Sequence, residues 1–500
     1  MPNLFYFVKI CLEKVFALKD FIKNNWQILL PEFLVITIFI VFYGQFGDIM
    51  IDSYREIYIP QQMLEGNTLY KDIFVIYPPL AYLINALLIK VFGNGLITLY
   101  YAGLFSSVGI FYFTYKIAKK FLGKIYPLAI CLFLIAGLIL SPNVFNTFLP
   151  YSYGILYGTL FILISLYFAI NKKFPLMYLF YSLAILCKYE FVLLLPLLIF
   201  LSKKTDWKKN LLTFGLPIFL TLGILVIQGV RLEDIKASFQ IIGIMSSTKT
   251  LYWFYSVMGL TFRPELIPIY LTNILKFIIP VYWIQYQEIL VWAFPIIAIL
   301  GVFRFKNLKT FERFFIIATL LVSAKVFFAL TLQSYGVYFL PFALISLFIL
   351  TPKKLRNILC ILLITWSVII AGFNIKAFSS KKTELTKIVN YIKTNTKANE
   401  KVLIYPECLA INVFSERKSD NKFYSLIPLY VETFGEDLVI KRLEIVKPKY
   451  IIINNYDTSS YYFKEFGIDY GQKILKWIEK NYKLETIIED KWMFKIYKSL

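Results

Sequence analysis

The chain has 500 residues, of which 59% are hydrophobic and 19% aromatic, and its mean hydropathy is +0.66. Soluble domains are closer to half apolar, so this composition excludes an ordinary globular enzyme and indicates a polytopic membrane protein. The formal net charge is +22. The basic residues fall in short segments between apolar runs, which favours a role in membrane orientation over nucleic-acid binding.

Two residue counts limit the chemistry that the chain can perform. It contains no histidine, which removes the commonest general base, proton shuttle and zinc ligand. Its five cysteines are scattered without a CxxC pair, and most lie in apolar runs, where a buried thiol is the ordinary interpretation. Acid–base catalysis would therefore fall to carboxylates, lysine, tyrosine or cysteine.

The pattern of apolar runs predicts a membrane domain behind a short basic segment. Residues 1–25 are predicted to lie as an amphipathic helix on the cytoplasmic surface, because lysines interrupt their apolar residues. Residues 26–376 are predicted to form a transmembrane domain of about eleven spans, with the N-terminus in the cytoplasm because each proposed inner loop is basic. The predicted spans are residues 26–46, 96–115, 126–140, 151–170, 174–187, 191–201, 211–230, 289–303, 314–330, 335–350 and 358–373.

The first outer loop, residues 47–93, gathers acids and an arginine more tightly than the rest of the membrane part. It ends in an apolar helix over 80–93 that is too short to span and is expected at the outer interface. A lone acid at a membrane surface is usually only solvated, whereas this group could place a carboxylate base beside a cation that meets phosphate. A local ion pair that stiffens the loop is the alternative. The charged residues are Asp48, Asp52, Arg55, Glu56, Glu65 and Asp72.

The composition changes from residue 377, where charges appear throughout and long apolar runs stop. The sequence predicts a small extracytoplasmic α/β domain over residues 377–500. ELTKIVNYIK, LYVETFGEDLVIKRL and YGQKILKWIEKNY are typical of helices, and KVLIYP and YIIINN are typical of short buried strands. LETIIEDKWMFKIYK predicts a terminal hairpin.

Three segments of the first outer loop carry a family resemblance: D-x-x-R-E, then GNTLYKD, then YPPLAYLINA. They resemble the corresponding loop of the GT-C glycosyltransferases, in the bacterial branch related to protein O-mannosyltransferases and the lipid A aminoarabinose transferase (glycosyltransferase family 39-like). Counting back from Gly66 aligns Asp52 with the family's catalytic aspartate. Ser53 stands where many members have glutamate, and Tyr77 stands where some have lysine. The relatives' donor-phosphate contacts therefore do not transfer at residue 77.

The resemblance implies an integral-membrane glycosyltransferase that moves a hexose or pentose from a polyprenyl-phosphate donor to an acceptor hydroxyl at the outer membrane face. Asp52 is the implied general base, with Asp48 as the alternative, and inversion is expected. Lys188 and Glu190 lie at the outer end of a span, where charges either anchor the interface or face a cavity. The candidate substrate-binding residues are Arg55, Glu56, Tyr70, Asp72, Lys188, Glu190, Arg263 and Tyr335.

This scheme requires no metal or other cofactor, although a pair of acids could bind Mg²⁺ or Mn²⁺. The expected partners are the lipid-linked sugar, a glycan, lipid or protein acceptor, and membrane lipids, without nucleic acid. Two non-catalytic alternatives stay open. An internal repeat would favour a transporter or lipid-glycan-binding protein, and serine in place of glutamate at position 53 favours a scaffold that has lost activity.

Overall fold

A computed structural model gives the architecture of the chain. Three of the candidate site residues lie outside the described residues: Asp48, Arg263 and Tyr335. Most of the predicted cytoplasmic segment, residues 1–25, lies outside them as well. The described residues are Lys23, 25–46, 52–141, 146–202, 206–240, 293–328, 336–379, 385–419, 422–459, 463–490 and 492–500.

The first part of the chain is helical, and its helices follow the predicted apolar runs closely. The described helices up to residue 240 are α1 (Asn25–Val41), α2 (Asp52–Leu64), α3 (Leu80–Phe92), α4 (Gly95–Leu122), α5 (Ile125–Leu134), α6 (Tyr153–Ile170), α7 (Phe174–Cys187), α8 (Leu195–Ser202), α9 (Trp207–Ile227) and α10 (Leu232–Gln240). A π-helical turn, Ile135–Ile139, prolongs α5, and a 3₁₀-helix, Tyr189–Leu194, precedes α8. The membrane part continues with α11 (Ala293–Arg304), α12 (Thr310–Phe328), α13 (Gly336–Leu350) and α14 (Lys353–Ser379).

Length and burial of these helices confirm a polytopic α-helical membrane protein. Among the described residues, four helices are long and apolar enough to cross a membrane: Gly95–Leu122, Tyr153–Ile170, Trp207–Ile227 and Lys353–Lys376. In the third and fourth of these, only 22% of the most apolar stretch is buried inside the protein. Such exposed apolar surface needs lipid as its solvent, and a helix satisfies its own backbone hydrogen bonds there. The predicted total of about eleven spans and the orientation of the termini stay predictions.

Close helix contact in the membrane part depends on small residues. α4, α6, α7 and α9 pack side by side, and α5 packs on α4 and α14. Gly103 of α4 lies against the segment that leads into α6, where an added Cβ would stand 2.1 Å from the Phe148 carbonyl oxygen. Glycine at this position therefore sets how closely α4 approaches that segment.

Replacement of Gly103 by alanine is expected to destabilise the protein by about 1–3 kcal/mol, since a backbone atom cannot yield as a side chain would. The matched control is Gly223→Ala in α9, where an added Cβ would meet nothing within 4 Å. Thermal unfolding in detergent would measure both variants. Equal melting temperatures for the two variants would contradict this account of α4 packing.

The C-terminal part is the predicted small α/β domain, with a four-stranded sheet in the order β1-β2-β4-β3. β1 (Val402–Tyr405) is parallel to β2 (Tyr450–Asn454), and β4 (Met493–Ser499) is antiparallel to β2 and to β3 (Tyr482–Glu489). A parallel pair needs a long crossover. The crossover from β1 to β2 contains three helices: α16 (Leu409–Ser415), α17 (Pro428–Phe434) and α18 (Glu436–Val446).

Two further helices complete this domain: α15 (Thr386–Asn395) and α19 (Gln472–Asn481). The predicted strands are present, including the terminal β3–β4 hairpin, and the helix predicted over residues 429–443 is divided at Gly435 into α17 and α18. Leu403 and Ile451 of the sheet pack with Val439 and Leu443 of α18 in one apolar core. The predicted domain limits at residues 25, 376 and 377 stay predictions.

Candidate active site

Helix α2 of the first outer loop carries three of the candidate residues. It begins at Asp52, and the buried hydroxyl of Ser53 donates a hydrogen bond of 3.0 Å to the carbonyl of Leu149. This bond fixes the start of α2 against the segment that precedes α6. The departure from glutamate at position 53 thus has a local structural use, since a small hydroxyl fits a fully buried site.

Glu56 is buried and holds the start of α6 in place. Its carboxylate accepts hydrogen bonds from the Tyr153 backbone N–H at 3.0 Å and from the Tyr82 hydroxyl at 3.2 Å. An acid at a helix N-terminus is favourable because unpaired N–H groups point at it. Burial raises the pKa of Glu56 above its ordinary value, while Arg55 and these hydrogen bonds oppose the rise. These contacts account for Glu56 structurally, and its contact with a substrate stays a prediction.

Two buried cations from distant parts of the chain meet at the ring of Tyr77. The Arg55 guanidinium lies 5.0 Å from the ring centroid and the Lys188 amine 5.5 Å from it. The side chains of Arg55 and Lys188 are only 6% and 4% exposed. Charges this deep in a membrane protein are costly and commonly mark a substrate site. We call Arg55, Lys188 and Tyr77 the cation pair site.

Each cation of the cation pair site has an acidic neighbour and a fixed position. Arg55 donates a hydrogen bond of 2.9 Å to the Tyr151 carbonyl and lies 3.5 Å from Glu56. Lys188 lies 3.0 Å from Glu190, which is the next charged residue along the chain. Lys188 stands in extended backbone between α7 and the 3₁₀-helix, so the break in this predicted pair of short spans turns its amine toward Tyr77. The structure therefore brings Arg55, Lys188 and Glu190 together as candidates.

Tyr70 and Asp72 support the loop behind Tyr77. The Tyr70 hydroxyl donates a hydrogen bond of 2.8 Å to the Tyr77 carbonyl. Asp72 accepts a hydrogen bond of 3.0 Å from the Thr68 backbone N–H, which closes the turn before Tyr77. Both residues therefore position the loop in this structure, and their contact with a substrate stays a prediction.

The C-terminal domain covers this loop, which the sequence did not indicate. The Tyr58 hydroxyl is hydrogen-bonded to Ser419, and the rings of Phe74 and Phe434 lie 4.6 Å apart. Tyr424 is buried near the cation pair site. Burial raises its pKa above the ordinary value, and the positive charge of Arg55 offsets part of this rise. Both segments are rich in aromatic residues, and this is the one sequence feature that points to the contact between them. The contact joins residues more than 300 positions apart, which no local sequence pattern reports.

An apolar groove lies between α3, α4 and α6. The groove has a volume of about 500 Å³, and Tyr157 on its wall contacts Tyr153 with 5.3 Å between ring centroids. Tyr153 is the residue whose N–H binds Glu56. The groove walls include Leu88, Phe92, Ile97, Tyr101 and Phe105.

The part of the chain that the structure describes shows no cluster of metal-binding side chains. No group of three or more His, Cys, Asp or Glu residues is placed there to hold a metal ion. The side chain of Asp52 and the whole of Asp48 are outside that part, so the possible acid pair stays a prediction.

Comparison with solved structures defines the fold. ArnT from Cupriavidus metallidurans, solved with undecaprenyl phosphate, matches with a TM-score of 0.55 and 11% identity over 95% of this chain and 98% of ArnT. The oligosaccharyltransferase of Archaeoglobus fulgidus matches with a TM-score of 0.52 and 11% identity over 95% of this chain and 73% of its own. The chain thus has the GT-C fold, as its first outer loop predicted. No protein-family model and no curated protein matches its sequence.

Proposed function

We propose that this protein is an integral-membrane glycosyltransferase that transfers a sugar from a polyprenyl-phosphate donor to an acceptor hydroxyl at the outer face of the membrane. The observation that carries the proposal is the cation pair site, where Arg55 and Lys188 meet at Tyr77. A fixed guanidinium and an ammonium together suit a phosphate group, which each can bind through charge-assisted hydrogen bonds. The GT-C fold supports the same class of reaction by analogy.

In the proposed reaction the acceptor hydroxyl oxygen attacks the anomeric carbon of the donor sugar. The bond from that carbon to the phosphate oxygen breaks, and polyprenyl phosphate leaves with the electron pair. Asp52 accepts the acceptor's proton as general base. Arg55 and Lys188 stabilise the negative charge that develops on the leaving phosphate. Attack opposite the leaving group inverts the anomeric configuration.

Lys188 supplies a second cation at the site, where Tyr77 stands in place of the lysine of some relatives. Some GT-C relatives have a lysine at the position of Tyr77, and in this chain the Lys188 amine lies over the Tyr77 ring. The positive charge that these relatives carry on the loop comes, in this chain, from Lys188 at the end of α7. The face of the Tyr77 ring attracts the Lys188 amine when no phosphate is bound.

The apolar groove between α3, α4 and α6 suits the donor's prenyl chain. Its walls are mainly aliphatic and aromatic, and Tyr157 on its wall contacts Tyr153, whose N–H binds Glu56. The proposal places the prenyl chain in this groove and its phosphate at the cation pair site. ArnT, a GT-C protein of similar extent, was solved with undecaprenyl phosphate, which supports the same class of lipid here.

The test uses purified protein in nanodiscs and a panel of radiolabelled polyprenyl-phosphate sugars, each with a mixed pool of hydroxyl acceptors. Release of polyprenyl phosphate is measured against protein-free discs. Release from at least one donor would support the proposal and identify the sugar. Detectable binding of every donor without release from any would contradict it and favour a transport or scaffold protein.

A further inference from the structure

A second cavity lies outside the cation pair site, where the first outer loop, α10 and the C-terminal domain meet. Its volume is about 490 Å³. Apolar residues such as Phe434 and Leu438 form part of its wall. The charged lining residues are Lys71, Asp72, Lys422, Lys441 and Arg442, so cations outnumber acids. We call this cavity the basic cleft.

Helix α18 gives the basic cleft an amphipathic wall. Leu438, Lys441, Arg442 and Ile445 recur at three- and four-residue spacing, which places them on one helix face. Leu438 and Ile445 are 49% and 68% exposed, although both are apolar. A face that mixes exposed aliphatic residues with cations suits a ligand that is itself partly apolar and negatively charged.

Acids in the described part of the chain balance only part of the positive charge of the basic cleft. The Nε atom of Arg442 is buried and has no hydrogen-bond partner among the described residues. A buried donor without a partner costs free energy, and a bound anion would satisfy it. Burial lowers the pKa of Lys422, and the nearby acids Asp234 and Asp72 oppose this effect. Lys441 and Arg442 form no ion pair with the described acids.

Short contacts connect the basic cleft to the cation pair site. The Lys422 amine donates a hydrogen bond of 3.0 Å to the Tyr70 carbonyl, and the Tyr70 hydroxyl binds the Tyr77 carbonyl at 2.8 Å. The Phe74 N–H also donates to the Lys422 carbonyl at 3.3 Å. One loop, residues 70–77, therefore separates the two sites.

We infer that the basic cleft binds a phosphate group carried by the acceptor, so that the acceptor is an anionic glycan or glycolipid. The inference rests on the proposed transfer reaction for the identity of the ligand as acceptor. Arg442 supplies the planar donor group that matches phosphate oxygens, and Lys441 and Lys422 supply point charges. Leu438 and Ile445 contact the apolar part of that molecule.

The test measures binding of inorganic pyrophosphate to the full chain in phosphatidylcholine nanodiscs by calorimetry. Arg442→Gln and Lys441→Gln are each expected to weaken binding about tenfold, because each removes a charge-assisted contact. Lys480→Gln is the matched control, since Lys480 is exposed on α19 and does not line the cleft. The same titrations are repeated with Lys188→Gln added to each protein. This substitution weakens pyrophosphate binding at the proposed donor site, so the remaining signal reports binding at the cleft.

A second arm distinguishes the source of the phosphate. Discs that contain phosphatidate will compete with pyrophosphate when the acceptor is a lipid and will not compete when it is a soluble glycan. Wild-type affinity in both cleft variants, or no pyrophosphate binding by folded wild-type protein, would overturn the inference. Unfolding temperatures confirm that each variant is folded, and exposed Lys441 keeps the test valid should Arg442→Gln misfold.

Failure of this inference can be separated from failure of the proposed function. Cleft variants are expected to retain binding of undecaprenyl phosphate, because Arg55 and Lys188 are unchanged. Release of polyprenyl phosphate without pyrophosphate binding at the cleft would reject only the acceptor site. Pyrophosphate binding at the cleft without release from any donor would reject the transfer reaction and, with it, the ligand's identity as acceptor.

Discussion

Asp52→Asn is expected to lower the rate of sugar transfer by about 10²–10⁴-fold while the protein stays folded, because a positioned general base typically contributes that much. Asparagine serves at a helix start as well as aspartate does, so α2 should keep its N-terminus at this residue. The measurement is release of radiolabelled polyprenyl phosphate per unit of folded protein in nanodiscs.

The matched control for this variant is Asp206→Asn. Asp206 also stands at a helix start, where its carboxylate accepts hydrogen bonds from the N–H groups of Lys208 and Lys209. It precedes α9 in a predicted inner loop, so its replacement should leave transfer unchanged. Full activity in Asp52→Asn would reject Asp52 as the base and direct the same experiment to Asp48.

Lys188→Gln is expected to lower turnover by about 10²–10³-fold, because one fixed charge would no longer oppose the charge on the leaving phosphate. Loss of Lys188 also leaves Glu190 without the partner that lies 3.0 Å away. Breaking a buried ion pair destabilises a protein by about 3–5 kcal/mol, so lost activity in this single variant could reflect lost stability.

The double variant Lys188→Gln, Glu190→Gln separates the two effects. It removes both charges of the pair, so it should regain stability and stay inactive. Lys173→Gln at the other end of α7 removes an exposed positive charge and should transfer at the wild-type rate. Wild-type turnover in the folded double variant would show that Lys188 has no part in the reaction.

The sequence alone determined the class of fold. A membrane-spanning helix needs a long apolar run, and the inner loops beside such helices are basic. Each helix must meet this requirement within its own segment, because lipid offers its backbone no hydrogen bonds, so the pattern is visible in the sequence. The break over residues 188–194 follows from two apolar runs that are too short to span. In the C-terminal domain, helical spacing and short apolar runs predicted all four strands and most of the helices, but neither α16 nor the break at Gly435 between α17 and α18.

The candidate residues on α2 were also predictable, because they are close in the sequence and match a family pattern. Their roles were not. Glu56 shares a local motif with Arg55, yet the structure buries it at the start of α6, where it binds the N–H of Tyr153. A charge pattern does not reveal which acid will be desolvated, because desolvation depends on segments almost a hundred residues away.

Only the tertiary structure decided which charges meet. Arg55 and Lys188 come from α2 and from the end of α7, and they converge because both elements pack around Tyr77. The basic cleft depends on the C-terminal domain lying over residues 70–74. Contacts between distant segments follow from how complete surfaces fit together, and neither periodicity nor short motifs encode that fit. The sequence thus determined the elements and the chemistry they could carry, and packing decided which of those side chains form a site.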